Sequence, residues 1–316
     1  MMVVGHKGQS IRAEYCLVCG SSRAIPVFHP RQSPGPVVRC CECGQVYVSP
    51  VFQSEGLISE GPVIKQENPS LLHSTNLDDI EHFWEASFLP HKLRDQLALQ
   101  TNAKDALARI ARLHPPPGHL LDFGCGWGFF LAEARSQGWE PFGLEPLPGP
   151  AIHARVSAQA QVVTDTLHDD TFPAESFDVV TSFQVFEHLP DPAAVLGQIV
   201  RLVRPGGLVL IEVPNIATWS VHLLGRYHRH FVADHLNFFS AETLGRLMER
   251  QGLQVMSSYR PARAMTMHHL LVGWGRRLLP AQLSSALAKL PDQILQQIVR
   301  LNLGDIVAVI GRKPLR

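Results

Sequence analysis

Five of the six cysteines stand in the first fifth of the chain, as Cys16-Leu-Val-Cys19 and Cys40-Cys41-Glu-Cys43. Two C-x-x-C pairs about twenty residues apart have the spacing of a four-thiolate zinc site. Gly20 and Gly44 follow the second thiol of each pair, where a tight knuckle turn often needs a positive φ. The expected ligands are Cys16, Cys19, Cys40 and Cys43, with Cys41 as a spare and His29 as a spacer. The competing readings are a pair of disulfides, disfavoured in a reducing compartment, and unrelated buried thiols. Four thiolates saturate a tetrahedral ion and leave no position for substrate, so this Zn2+ would be structural.

A second segment is built to let a ligand approach backbone. Leu120-Leu121-Asp122-Phe123-Gly124-Cys125-Gly126-Trp127-Gly128 reads as a buried strand that ends in a loop with glycine at alternate positions. The absence of a downstream G-K-S/T argues against a phosphate-gripping loop. Glu145, after Gly143-Leu144, would close the next strand, where a carboxylate can accept hydrogen bonds from both hydroxyls of a ribose. Further along, Gln184-Val185-Phe186-Glu187-His188-Leu189 follows an apolar strand and sets His188 at the ligand edge. An imidazole titrating near working pH makes His188 the first candidate for a general base.

These groups need a frame to converge. From His119 onward short apolar runs alternate with helical patterns, which is the signature of a parallel sheet covered on both faces. Strands are predicted at His119–Phe123, Glu140–Leu144, Gln161–Thr164, Phe177–Phe183 and Leu208–Val213. Helices are predicted near Gly128–Gln137, Gly149–Ala158 and Pro192–Val203, with Pro205-Gly206-Gly207 turning into the fifth strand. A helix opened by Ser240 as N-cap leads to a sixth strand near Leu253–Tyr259, and Gly304–Arg312 reads as the last. One helix over about His91–Leu113 precedes the sheet and is stopped by His114-Pro115-Pro116-Pro117-Gly118. The expected division is a cysteine module over 1–52, a linker over 53–89 and a main domain over 90–316. Leucines at intervals of three and four predict a helical insertion or lid over about 261–303. Within it, HHLLVGWG with Arg276 and Arg277 reads as a lid face, a membrane-surface contact being the lesser alternative.

The ordered runs DFGCGWG, GLEP, SFDVVTSFQVFEHLPDP and LVRPGGLVLIEVPN, over about residues 119 to 260, resemble the class I S-adenosylmethionine-dependent methyltransferases. The similarity is greatest to the branch with ubiquinone-type and natural-product or sugar methyltransferases. It implies an α/β, Rossmann-like, seven-stranded, mostly parallel sheet with helices on both faces. It also implies that Asp122, Gly124, Gly126 and Gly128 surround the methionine part of S-adenosyl-L-methionine. Glu145 would hold the ribose, Asp165 with Thr166 would border the adenine, and Gln184 would border the methionine end. In similar enzymes the stretch around Tyr227-His228-Arg229-His230 and Asp234-His235-Leu236-Asn237-Phe238-Phe239-Ser240 lines the acceptor pocket, so His235 is the second candidate base. The histidines of this stretch fit no single helical face, which disfavours a metal reading.

The function expected is methyl transfer to a small molecule, either a sugar, a lipid-linked or a polyketide-like metabolite, at oxygen or carbon. A cysteine module ahead of such a domain resembles the arrangement in some deoxysugar C-methyltransferases, whose carboxy-terminal domain is not recognisable here. The same order occurs in certain ribosomal RNA guanine methyltransferases. Lys plus Arg and Asp plus Glu number 28 each, however, so no basic field favours a nucleic acid. A non-catalytic scaffold is the remaining class, and intact glycines with Glu145 oppose it. Apolar residues make up 45% and charged ones 18% of the 316 residues, enough to bury one large core and too apolar for global disorder. No run approaches the ~18 apolar residues of a membrane span, and the start lacks a signal-peptide centre, so a cytoplasmic protein is expected.

Overall fold

The computed structural model of the chain describes residues 15–28, 35–49, 89–232, 234–274, 281–287 and 289–315. Residues 53–88 of the linker expected over 53–89, with His29, Arg276 and Arg277, lie outside the described residues. A seven-stranded sheet has the order β10-β13-β8-β7-β4-β5-β6. Its strands are β4 (His119–Phe123), β5 (Glu140–Leu144), β6 (Gln161–Val163), β7 (Phe177–Phe183), β8 (Val203–Pro214), β10 (Gln254–Tyr259) and β13 (Ile306–Arg312). The five from β4 to β8 are parallel, while β13 runs antiparallel between β8 and β10. Burial on both faces explains why β4, β7 and β8 read as near-continuous apolar runs rather than alternating ones.

Helices follow the strands as the connections of a parallel sheet require. They are α3 (Phe129–Ser136), α4 (Pro148–Ala158) and α5 (Pro192–Leu202). Asp191 caps α5 by accepting from the Ala194 amide at 2.9 Å, and Pro192 occupies the first turn, where its missing N–H is harmless. Later come the short α6 (Trp219–Leu224) and α7 (Ala241–Arg250), and α7 opens with a capping box in which the Ser240 and Thr243 side chains each accept from the other's amide. Leu244, Leu247 and Met248 on its inner face are fully buried.

Several sequence expectations shift. The helix expected over His91–Leu113 is two, α1 (Leu89–Arg94) and α2 (Gln96–Leu113), separated at Asp95. The fifth parallel strand starts earlier than Leu208, because β8 takes in Pro205-Gly206-Gly207 as a register shift against β7. The excursion before the last strand is not wholly helical. It holds a π-turn over His269–Trp274 and short helices α8 (Ala281–Leu287) and α9 (Asp292–Leu295), flanked by an antiparallel ribbon of β11 (Arg263–Thr266) and β12 (Ile298–Leu301). The β-branched residues of Ile298-Val299-Arg300-Leu301 favour that ribbon, which their leucine-like spacing disguised. Among the described residues, no helix is long and apolar enough to cross a membrane.

The cysteine segment forms β1 (Ala24–Phe28), β2 (Val37–Cys40) and β3 (Val46–Val48), joined in antiparallel order. The fourth strand of this sheet, β9 (Asn237–Phe238), comes from the far side of the chain. Cys16, Val18, Cys40, Cys43 and Tyr47 also belong to the same apolar cluster as Phe239, Leu244 and Val213. The segment and the large sheet thus share a core.

Candidate functional site

The glycine loop leaves β4 beside β5. Gly124 N–H and Cys125 N–H donate to Leu144 O at 2.8 and 3.2 Å, and Gly126 N–H donates to Glu145 Oε2 at 3.0 Å. Glu145 Oε1 accepts from Leu147 N–H at 3.0 Å. Burial pushes the Glu145 carboxyl up, against the two backbone amides that favour its charged form. The loop's glycines serve different ends. Gly126 has φ +51°, and a Cβ there would meet nothing within 4 Å, so its outer side is open. A Cβ on Gly128 would instead lie 2.7 Å from Ala154, so this glycine allows α3 to pack on α4.

Asp122 lies under the loop, 3% exposed, and accepts from Thr181 Oγ1 at 2.7 Å. Burial, with the Glu145 charge assisting and the Thr181 bond opposing, raises its carboxyl to about 7. Asp165 and Thr166 follow β6 at the surface. Asp165 Oδ1 accepts from Thr166 N–H at 2.7 Å, and Thr166 Oγ1 lies 2.8 Å from His168 Nε2. Gln184, at φ +56°, follows β7, donating its backbone N–H to Glu212 O at 2.8 Å. Its side chain meets Glu212 Oε1 at 3.4 Å, while Arg263 holds the same carboxylate oxygen at 2.7 Å.

On the other side of the loop the two candidate histidines meet. The His188 and His235 rings are 4.8 Å apart at 77°, edge to face. His188 Nδ1 faces Asp234 O at 3.0 Å and Asp234 Oδ2 at 3.4 Å, which assigns the proton to Nδ1 and leaves a lone pair on Nε2. His235 Nδ1 faces His230 O at 2.9 Å in the same way. Burial, then the neighbouring His188 charge, depresses His235 to about 4. Glu187 is buried beneath, its Oε1 4.0 Å from His188 Nε2 and its Oε2 without a hydrogen-bond partner. Burial, then Glu212 and Asp234, pushes this carboxyl up to about 8. Glu187, His188 and His235 each bring one ligating atom within 4.8 Å of the others, so they can share a proton or hold a cation. His228 and His230 turn away from this group. His228 Nε2 lies 3.0 Å from Ser220 Oγ, and His230 Nε2 lies 3.0 Å from Asp305 O.

The glycine loop touches the His188 turn through Val185, whose Cγ2 would lie 2.5 Å from a Cβ on Gly124. Both stand at the carboxyl ends of adjacent parallel strands, where open α/β sheets bind their ligands. Asp122, the three glycines, Glu145, Gln184, His188 and His235 therefore gather along one sheet edge, while Asp165 and Thr166 sit at its outer strand. The sequence reading missed Asp234 and the role of Glu187. Their place beside histidine was visible, but the burial of Glu187 and the turn of Asp234 back onto His188 were not.

The cysteines also converge. One Sγ from each of Cys16, Cys19, Cys40 and Cys43 lies within 4.8 Å of the others, with Cys16 to Cys43 and Cys19 to Cys40 at 3.5 Å. The two knuckles repeat one geometry. Gly20 N–H donates to Cys16 O at 2.7 Å and Gly44 N–H to Cys40 O at 3.1 Å, at φ +82° and +76°. Burial drives the Cys16 thiol up to about 11; at Cys40 burial is outweighed by the Cys43 and Glu42 amides and the Cys19 thiol, giving about 7. Four sulfurs this close suit a tetrahedral ion with Zn–S bonds of about 2.3 Å.

Residues 91–258, more than half of the chain, match the family model described as "Methyltransferase domain". The chain belongs to that family. Its methyltransferase domain is 35% identical over 150 residues to a ubiquinone biosynthesis O-methyltransferase of Aeromonas salmonicida, a match over 43% of this chain and 63% of the relative. The counterpart of Hahella chejuensis is 30% identical over 158 residues, covering 47% of this chain and 63% of its own. The chain thus spans less than two thirds of the length of these relatives. Among solved structures, a chain from the complex of the Haloferax volcanii Trm112 methyltransferase activator with a methyltransferase superposes with a TM-score of 0.51. That match has 19% identity and covers 74% of this chain and 97% of the other. It shows that the methyltransferase domain shares that fold.

Proposed function

We propose that this chain transfers a methyl group from S-adenosylmethionine to a small-molecule acceptor, at a hydroxyl or an acidic carbon. The observation that carries the reading is the pairing of an open-sided Gly126 with a buried Glu145 at the carboxyl edge of the sheet. A nucleoside lying along that edge meets bare backbone at Gly126 and passes Gly124, whose Cβ position Val185 fills, while Glu145, already oriented by two amides, accepts from its ribose hydroxyls. Asp165 and Thr166 border the adenine. Asp122 and Gln184 border the amino-acid end, and Gly128 keeps the loop's shape by letting α3 and α4 close. The cofactor, when bound, supplies an electrophilic methyl sulfonium, so the protein's tasks are alignment and proton removal.

His188 is the group placed for the second task. Its Nε2 carries the lone pair, and Asp234 fixes the ring from the Nδ1 side, where its Oδ2 faces the imidazolium that forms when Nε2 takes the acceptor's proton. His235, held neutral by burial, packs against the ring and excludes water rather than competing for the proton. The small-molecule acceptor is supported by the ubiquinone O-methyltransferase relatives and by the even charge balance. Cys16, Cys19, Cys40 and Cys43 hold a structural Zn2+, and the 1–52 module, the 53–89 linker and the 90–316 domain are the working division.

Calorimetry with S-adenosylhomocysteine tests the reading. Dissociation constants in the micromolar range are expected for the native chain, with loss of measurable heat in Glu145→Ala. A correctly folded chain that gives no heat overturns it.

A further inference from the structure

The cysteine sheet and the histidine-bearing loop are built on each other. β3 pairs with β2 on one side and β9 on the other, with Val46 opposite Phe238 and Tyr47 opposite Asn237. Val48 N–H donates to Leu236 O at 3.0 Å, and the Gln45 amide donates to Phe238 O at 3.4 Å. Val37, Val46 and Val48 share a small apolar cluster with Phe231, Leu236 and Phe238 of the loop, and Phe28 meets Phe231 edge to face at 4.6 Å. The same loop is tied to the His188 turn. Leu236 N–H and Asn237 N–H both donate to Glu187 O, at 2.7 and 3.0 Å. The buried Asn237 side chain donates to Phe186 O at 3.2 Å and Leu189 O at 2.7 Å.

We propose that the four-cysteine centre is a brace for the acceptor side of the site. Holding Zn2+, it fixes the edge of β3, which templates residues 234–239 and, through Asn237, sets His188 against His235. Asn237 is thus a positioning residue, its backbone in the cysteine sheet and its side chain on the turn that carries the proposed base. Two residues of strand have no stability of their own, so β9 depends on β3. A segment the size of β1 to β3 depends in turn on its metal. The contacts that orient Gly126 and Glu145 run instead within the loops after β4 and β5. Metal loss should therefore relax the histidine half and spare the nucleoside half. The inference rests on the proposed zinc site and gives that site a task.

The test uses the full chain, with zinc content measured, before and after metal extraction. Readouts are amide hydrogen exchange along the chain, site-resolved carbethoxylation of His188 and His235, and calorimetry with S-adenosylhomocysteine. Extraction is expected to speed exchange over 234–239 and carbethoxylation of both histidines at least 10-fold, with S-adenosylhomocysteine affinity changed less than 3-fold. Unchanged loop exchange overturns the brace, as does parallel loss of protection in β4, β7 and β8. A chain that cannot be loaded with zinc overturns it as well. Two variants act without touching a cysteine. Asn237→Ala should raise the His188 modification rate at full zinc content, and Gln45→Ala should raise exchange at Phe238 and Phe239 about 3-fold. Zinc-replete Asn237→Ala with native His188 reactivity removes Asn237 from the positioning role. Failure of S-adenosylhomocysteine to bind the native chain refutes the methyltransferase reading alone, because the exchange and modification rates still decide the brace.

Discussion

The backbone N–H of Gly126 points at Glu145 Oε2 across 3.0 Å, so the loop leaving β4 is held by the acid that leaves β5. Leu147 N–H occupies the other oxygen, and both carboxylate oxygens are thereby oriented before any ligand arrives. This preorganisation removes most of the side-chain ordering that binding would otherwise require.

Glu145→Gln separates charge from shape. The amide can accept only at its oxygen, so one of the two backbone donors faces an NH2 group, and a ribose loses a charged acceptor. Charge-assisted bonds contribute about 1.5–3 kcal/mol, so S-adenosylhomocysteine affinity should fall about 10- to 100-fold. Calorimetry on a variant with native circular dichroism checks it. Affinity within a factor of two of the parent would remove Glu145 from the ribose.

Two glycines two residues apart should fail differently. Gly126→Val meets no neighbouring atom, but it puts a β-branched residue at φ +51°; a backbone strain of about 1–3 kcal/mol is expected, the fold persists, and nucleoside binding is lost to the carbons on the open side of the loop. Gly128→Ala drives a methyl into Ala154, 2.7 Å away, at a positive φ, and should cost ~2–4 kcal/mol of stability while the pocket chemistry is unchanged. Chemical denaturation and calorimetry on both variants distinguish the outcomes. The reverse pattern would mean that Gly128 is the one facing the ligand.

How much of this could be read from the sequence depended on range. The cysteine knuckles, the glycine loop and the acid after Gly143-Leu144 are local patterns whose spacing carries their geometry. The parallel strands announced themselves as apolar runs. β9 could not, because two residues show no periodicity and Asn237 finds Tyr47 only through the tertiary fold. Glu187 is similar. As a letter beside His188 it is an ordinary acid, and only burial leaves Oε2 without a partner and lifts the carboxyl to about 8. The β11–β12 ribbon was hidden for another reason, since its partner segments flank some thirty residues of helical pattern.

Acid should weaken the loop that carries the histidines. Burial, then Arg229 and His228, depress His230 from 6.5 to about 3, against the opposing Asp305. The folded state then binds fewer protons than the unfolded state between those values, so stability falls as pH drops below 6.5. His230→Gln removes that proton uptake. Between pH 6.5 and 4 its unfolding free energy should fall less steeply than the parent's, by up to ~1.4 kcal/mol per pH unit. Denaturant titrations at four pH values measure the slopes, and equal slopes would show that His230 does not hold its proton deficit in the native state.

Asp122 works with the opposite sign. Its buried carboxyl titrates at about 7, above the 3.8 of an unfolded aspartate, so the native state binds more protons between those values. Stability attributed to this group is fully present below pH 3.8 and is lost as pH rises through about 7. Asp122→Asn keeps an oxygen for the Thr181 hydroxyl and carries no proton to lose. From pH 5 to pH 7.5 the parent's stability should therefore decline relative to the variant's, by as much as ~1.4 kcal/mol per pH unit in the middle of the window. Glu187→Gln should extend the same behaviour about one unit higher, through about 8, since burial is again the main cause. If the parent gains on Asp122→Asn as pH rises, the carboxylate is stabilised in the native state, and its charge would then be available to a bound amino group rather than suppressed by the surrounding core.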